Sequence, residues 1–481
     1  MKKYTITFFI AISLMFLLFS WNKNEREKSL STIRDLNPEI EKKVDSVLSL
    51  MRINEKIGQL VQYSGKWNVT GPTSSKKDQY KLEKIKKGEV GSMLNVTSVK
   101  TVRNIQEINM KHSRLKIPLI FAFDVIHGYK TIFPIPLGES ASWDLDIIEQ
   151  SASIAARESA ASGLNWTFAP MIDVSRDARW GRIMESAGED VYLNSVIGVA
   201  RIKGFQGDDL SDDLTIAACA KHFAGYGFAE AGREYNTVTI GENELYNTIL
   251  PPFKAAAQAG VATFMNSFND IDGIPATGHK RLQRDVLKGT WKWNGLIVSD
   301  WASIGEMKAH GFARDKKHAA EIALNAGCDM DMESYAYESS LHTLLDEDKV
   351  DIEQIDDAVR RVLRLKFQLG LFDNPYKYCD EEREKKEVYT KENLSIARDV
   401  AKRSIVLLKN ENKLLPLSKN IKRIAVIGPM ANDKDTPLGN WRAKGEYNSA
   451  VSLLEGVKSM VGINTEVLYA KGVDLIIPNI K

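Results

Sequence analysis

The sequence predicts an α/β barrel followed by the start of a second α/β unit. Three observations carry this. Short apolar runs recur along the chain, each ending at a polar residue and each followed by a helical pattern. Gly163, Gly204, Gly260 and Gly327 sit where four of those helices need a C-terminal cap. The repeat stops near residue 372, and a shorter strand and helix pattern begins after it. Strands alternating with helices imply a parallel sheet. Seven or eight such units closing on themselves make a TIM-type (β/α)8-like barrel. An open doubly wound sheet is the alternative, but no G-x-G-x-x-G or Walker loop supports a nucleotide site.

The elements follow in order. Lys2 and Lys3 precede an apolar run from Tyr4 to Phe19, so residues 1–22 read as a secretory signal, with an uncleaved anchor as the alternative. A periplasmic or secreted protein is expected. Residues 23–37 are a polar tether. Ile40, Val44, Val47, Leu48 and Met51 fall at helical spacing over 38–52, and 65–80 reads as a loop. The strand-like runs are 91–94, 118–123, 166–172, 215–220, 261–265, 296–298 and 326–330. They end at or near Asn95, Asp124, Asp173, Lys221-His222, Asn266, Asp300 and Met330. Helices are expected at 144–163, 193–204, 243–260 and 318–327, with Pro251-Pro252 breaking the third. A long amphipathic helix at 351–369 closes the barrel domain, 38–372. A charged linker, 373–392, leads to a partial α/β sandwich domain, 393–481. Its few elements do not close a core, so the sequence is expected to continue.

Composition is that of an ordinary globular chain: 481 residues, 43% hydrophobic and 27% charged. A net charge of +2 gives no reason to expect nucleic acid as a partner. The three cysteines are too few and scattered for a disulfide framework. The seven histidines include no H-x-H or H-E-x-x-H pair, so no metal or other cofactor is expected, and there is no G-x-S-x-G elbow.

The chemistry lies at the strand ends. Asp300 follows Leu296-Ile297-Val298, a run suited to a strand buried on both faces. Taken alone, it could simply cap the next turn. Arg-Asp clusters are usually surface pairs, and a lone Lys-His pair is usually incidental. Yet the pattern puts Asp124, Arg182, Lys221, His222, Asp300 and Trp301 around one rim of one barrel. Such a mixture suits a sugar, whose hydroxyls need donors and acceptors and whose C–H face stacks on an aromatic. A glycosidase also needs carboxylates.

The motifs DVIHG (124–128), RWGRIMES (179–186), KHFAGYG (221–227) and SDWAS (299–303), with LLKNENKLLPL (407–417) and IAVIGP (424–429), resemble glycoside hydrolase family three, in its bacterial β-glucosidase branch. The resemblance covers about residues 38–481 and its motif set is specific. It implies an exo-acting retaining β-glucosidase with a β-linked glucoside or oligosaccharide as partner. The nucleophile falls on Asp300. Substrate-binding positions fall on Asp124, Arg182, Lys221, His222 and Trp301, with Met265 and Phe268 as pocket wall. The acid/base is implied to be a second-domain Glu outside this chain: Glu411, Glu446, Glu455 and Glu466 lack its context. The loop dyad of the β-N-acetylglucosaminidase branch is absent, since Tyr226 stands in KHFAGYG where that branch has His. A β-xylosidase on the same scaffold, or a non-catalytic sugar binder, are the alternatives.

Overall fold

The computed structural model describes residues 36–65 and 76–473. The signal and most of the tether lie outside the described residues. Eight parallel strands form the barrel: β1 (Val61–Ser64), β2 (Ser92–Leu94), β3 (Ile120–Phe123), β4 (Trp166–Thr167), β5 (Cys219–Phe223), β6 (Thr263–Asn266), β7 (Leu296–Val298) and β8 (Asp331–Met332). Ladders join β8-β1-β2-β3-β4 and β5-β6-β7. Parallel bridges Trp166–Ala217 and Met171–Lys221 close the β4–β5 seam, and Val298–Met330 closes β7–β8. The ring is complete, so among the described residues the barrel itself leaves no open strand edge.

Helices run between the strands as expected, and the run at Leu296–Val298 is fully buried. The 351–369 pattern forms a helix over Ile352–Gln368, opened by an Asp351–Gln354 capping box and ended at Gly370, φ 70°. Inside the barrel, Trp166 Nε1 donates to Thr263 Oγ1 at 2.9 Å, linking β4 to β6 beneath the rim.

Several expectations need correction. The series starts one unit earlier than read. Val61-Gln62-Tyr63-Ser64 mixes polar and apolar residues yet is buried, because Gln62 reaches Ser92 Oγ at 2.8 Å. Of the expected 65–80 loop, residues 66–75 lie outside the described residues, and 76–80 open the helix Lys76–Lys87. The run at 166–172 is a regular strand only at Trp166–Thr167; Pro170, with no N–H to give, interrupts it before the single bridge at Met171. The last strand is Asp331–Met332, just beyond the run at 326–330. Gly204 is no cap: its helix continues to Gln206, and a Cβ at 204 would sit 2.3 Å from the Glu149 carbonyl of the neighbouring helix. The Pro251-Pro252 pair opens an α-helical segment that follows a π-helical turn at Leu245–Ile249.

The charged linker has structure of its own. It contains a helix, Glu381–Glu387, and buries Tyr378 and Cys379. The next helix spans Lys391–Arg403. Beyond it, Arg423–Ile427 pairs in parallel with Glu466–Ala470, and Val426, Ala431 and Leu454 form a small separate core.

One buried carboxylate ties the linker down. Glu158 takes the backbone N–H groups of Lys130, Thr131 and Tyr389, the Thr131 hydroxyl and the Asn393 amide, all within 2.9 Å. Glu158→Gln replaces an acceptor oxygen with an amide that faces donors. Urea denaturation should show a loss of about 2–3 kcal/mol, the scale of charged hydrogen bonds. A loss under about 0.5 kcal/mol, a surface-like effect, would mean the clamp does not hold the linker.

Candidate active site

Each strand-end residue meets the rim for a local reason. Asp124 is the first residue past β3. Lys221 and His222 lie within β5 itself, not just past the end of the run at 215–220. Asp300 and Trp301 follow β7. Arg182 comes from the long loop after β4, at the start of a 3-10 turn, Ile183–Glu185. The Arg-Asp cluster divides. Asp177 and Arg179 pair on the surface, while Arg182 turns inward and is only 15% exposed.

Asp300 is 8% exposed. Its Oδ1 accepts the Trp301 N–H at 2.6 Å. It is not the cap of the following helix, Ser303–Glu306, whose N-cap is Ala302. Oδ2 is buried without a hydrogen-bond partner, 3.5 Å from His222 Nε2. Burial pushes the carboxyl up to about 7, against the pull of Arg182 and Lys221 and the Trp301 N–H. The two cations favour its charged form, but desolvation is the larger effect.

The cations are themselves answered. Lys221 Nζ donates to Asp124 Oδ1 at 2.8 Å. Burial alone would lower the lysine's pKa, but Asp124, with Glu185 and Asp300, holds it above the ordinary value. Arg182 donates to both oxygens of Glu185, at 2.6 and 3.0 Å. Its fork is opposed by burial, but Glu185 and then Asp300 hold its pKa above the ordinary value. Asp173 Oδ2 accepts both the His222 backbone N–H and Nδ1, each at 2.9 Å. Burial raises Asp173 to about 7. Burial, then Arg182 and Lys221, push His222 well below its ordinary value, so the ring is neutral. With its N–H given to Asp173, Nε2 is a bare acceptor facing Asp300. Acceptor faces acceptor, and a proton or a ligand hydroxyl between them satisfies the gap.

The walls are aromatic. Trp301 is half exposed beside Asp300. Phe268 is buried against Tyr226 and Tyr235, in a cluster with Trp180 and Met171. Met265 is 2% exposed and belongs to the main core beneath the rim. Trp441, from the second α/β unit, lies 5.7 Å from both the Arg182 and the Lys221 cations.

Three contributors escaped the sequence reading. Glu185 stands three residues after Arg182, a spacing that could have flagged the pair. Asp173 was visible only as a strand end. Trp441 had no local signal, because its place depends on how the second unit meets the barrel.

A closed parallel barrel with charged, hydrogen-bonding and aromatic side chains gathered at its C-terminal rim defines an α/β-barrel protein with a candidate ligand site at that rim. Residues 52–365 match the glycosyl hydrolase family 3 N-terminal domain, and 405–480 match the family's C-terminal domain. The chain belongs to glycosyl hydrolase family 3. It is 42% identical to a periplasmic beta-glucosidase of Salmonella typhimurium over 90% of this chain and 56% of that protein. It is 33% identical to a beta-xylosidase of Formosa agariphila over 95% of this chain and 61% of that one. A beta-glucosidase of Listeria innocua, solved in complex with glucose, superposes with a TM-score of 0.85 at 41% identity, covering 91% of this chain and 61% of that one. The chain thus spans about six-tenths of the length of these relatives.

The raised pKa of Asp300 has a stability consequence. Below pH 4 the carboxyl is protonated in both the folded and the unfolded chain. Between about 4 and 7 the unfolded chain loses its proton first, so stability falls as pH rises; at 7 and above the cost is at most about 4 kcal/mol. Asp300→Asn should therefore melt higher than the native protein at pH 8 and near it at pH 4. An equal difference at both pH values would show that no buried charge is being removed.

Proposed function

We propose that the protein is an exo-acting retaining β-glucosidase that removes terminal non-reducing β-D-glucosyl residues. Asp300 carries this reading. It is a buried carboxylate at a barrel strand end, with one oxygen held by a backbone N–H and the other unpartnered at the rim. Such a group can attack an anomeric carbon and form a covalent glycosyl-enzyme. The names of the Salmonella and Listeria relatives support glucose as the sugar.

The other residues take roles that fit their chemistry. Asp124 and Lys221 form a donor and acceptor pair for sugar hydroxyls. Arg182 and His222 flank the nucleophile, the first as donor and cation, the second as acceptor. Trp301 and Trp441 offer stacking faces for the pyranose C–H surface, and Phe268, over a floor that includes Met265, backs the wall. Asp300 must be ionised to attack, so kcat/KM should fall on the acid side of about pH 7.

A second carboxyl must protonate the leaving oxygen and later activate water, about 5 Å from the nucleophile. Glu185, Asp124 and Asp173 are already held by Arg182, Lys221 and His222. Glu411, Glu455 and Glu466 pair with Lys409, Lys434 and Arg423. A second-domain Glu as the acid/base follows from the resemblance to the family. We also infer export, from the Lys2-Lys3 start and its apolar run and from the periplasmic relative. A β-xylosidase is the second reading, favoured by the Formosa relative. A glucoside kcat/KM at least tenfold above that of the matching xyloside is expected, and the reverse ratio would select the xylosidase.

The test of the nucleophile uses the intact protein as its host makes it. Asp300→Gly should lower turnover of dinitrophenyl β-glucoside by about 10³-fold or more. Azide should restore release of the phenol and yield the α-glucosyl azide, because it enters from the face that Asp300 vacates. Unchanged turnover by the glycine variant would remove Asp300 from the role.

A further inference from the structure

His127 belongs to the DVIHG motif, yet none of the chemistry above uses it. It is buried, and its loop folds back on itself. Phe133 N–H donates to the His127 carbonyl at 2.9 Å, and Gly128 bridges Ile132. Nδ1 lies 2.9 Å from the Phe133 carbonyl. Nε2 points at the carbonyl of Asn440, 2.6 Å away in the second unit. The next residue is Trp441.

The strap from Gly439 to Gly445 runs flat against this loop. A Cβ at Gly439, φ 74°, would meet Ile135 Cγ2 at 2.9 Å, and one at Gly445 would meet Ile132 Cγ1 at 2.7 Å. Past the tryptophan, Lys444 N–H donates to the Tyr129 carbonyl at 2.8 Å. Trp441 itself has φ 54°. A side-chain residue held in the left-handed region persists where its surroundings fix it. His127 grips the strap on one side of Trp441 and Lys444 on the other.

We propose that His127 is a positioning residue: its imidazole fastens the Gly439–Gly445 strap to the barrel rim and so sets Trp441 as a wall of the sugar site. This rests on the sugar site proposed above. Burial pushes the ring's pKa down and Arg201 adds to it, against the two carbonyls and Glu185. A neutral ring carries one N–H for two carbonyls, and the shorter contact, to Asn440, is the one that can secure the strap.

Calorimetry with a glucose-mimicking iminosugar reads binding without turnover. In the intact protein, His127→Ala should weaken binding about 5–10-fold, and Trp441→Ala at least as much. The double variant should bind within twofold of Trp441→Ala alone, because both changes remove the same wall. His127→Gln, whose amide can donate to the Asn440 carbonyl, should recover at least half of the loss on a logarithmic scale. With an aryl glucoside, the loss from His127→Ala should fall on KM rather than kcat. Losses that multiply in the double variant, or full affinity in His127→Ala, would overturn the proposal. If His127→Ala does not fold, the glutamine variant in the native and Trp441→Ala backgrounds decides by the same comparison. Turnover that survives Asp300→Gly while these couplings hold would sink the proposed reaction and leave this inference standing.

Discussion

A carboxylate kept out of water needs positive charge beside it, and that positive charge needs an answer of its own. At this rim the requirement propagates. Arg182 and Lys221 draw Asp300 toward its charged form. Glu185 answers Arg182, Asp124 answers Lys221, and Asp173 fixes the ring between them. These groups come from the ends of β3, β4, β5 and β7 and from the loop after β4. Only a closed barrel brings those positions to one place. The bridges across the β4–β5 and β7–β8 seams therefore matter to the chemistry as much as to the fold.

The balance at Asp300 is deliberately incomplete. Two cations and a backbone N–H do not offset its burial, and the carboxyl rests near neutrality. Its orphaned oxygen faces an acceptor nitrogen. Both groups lack what a sugar hydroxyl or an anomeric carbon would bring. Sites that act on a ligand commonly hold such unsatisfied groups at a cost in stability.

The strand and helix repeat was legible because buried strands and amphipathic helices each leave a period in the sequence. So were Asp124, Lys221, His222 and Asp300, because polar residues closing apolar runs have few reasons to be there, while Arg182 and Trp301 stood out only as parts of their motifs. What escaped depends on contacts distant in sequence. Val61–Tyr63 is buried although it contains Gln62, because Gln62 finds Ser92 thirty residues on. The charged stretch at 380–387 looked solvated, but Glu158 clamps the chain that follows it. Gly204 looked like a cap and is a point of helix contact, two uses of glycine that one sequence cannot separate. Trp441 reaches the rim only through the docking of a second unit, which no local pattern encodes.

The covalent role proposed for Asp300 can be tested directly. A 2-deoxy-2-fluoro-β-glucoside with an activated leaving group slows release of the glycosyl-enzyme more than its formation. After such a reaction, peptide mass spectrometry of the protein should find one fluoroglucosyl group, on the peptide that carries Gly295–Ser303, with fragmentation placing it on Asp300. A label on another carboxylate, or turnover with inverted anomeric configuration and no label, would contradict the role of Asp300 as the nucleophile of a retaining glycosidase.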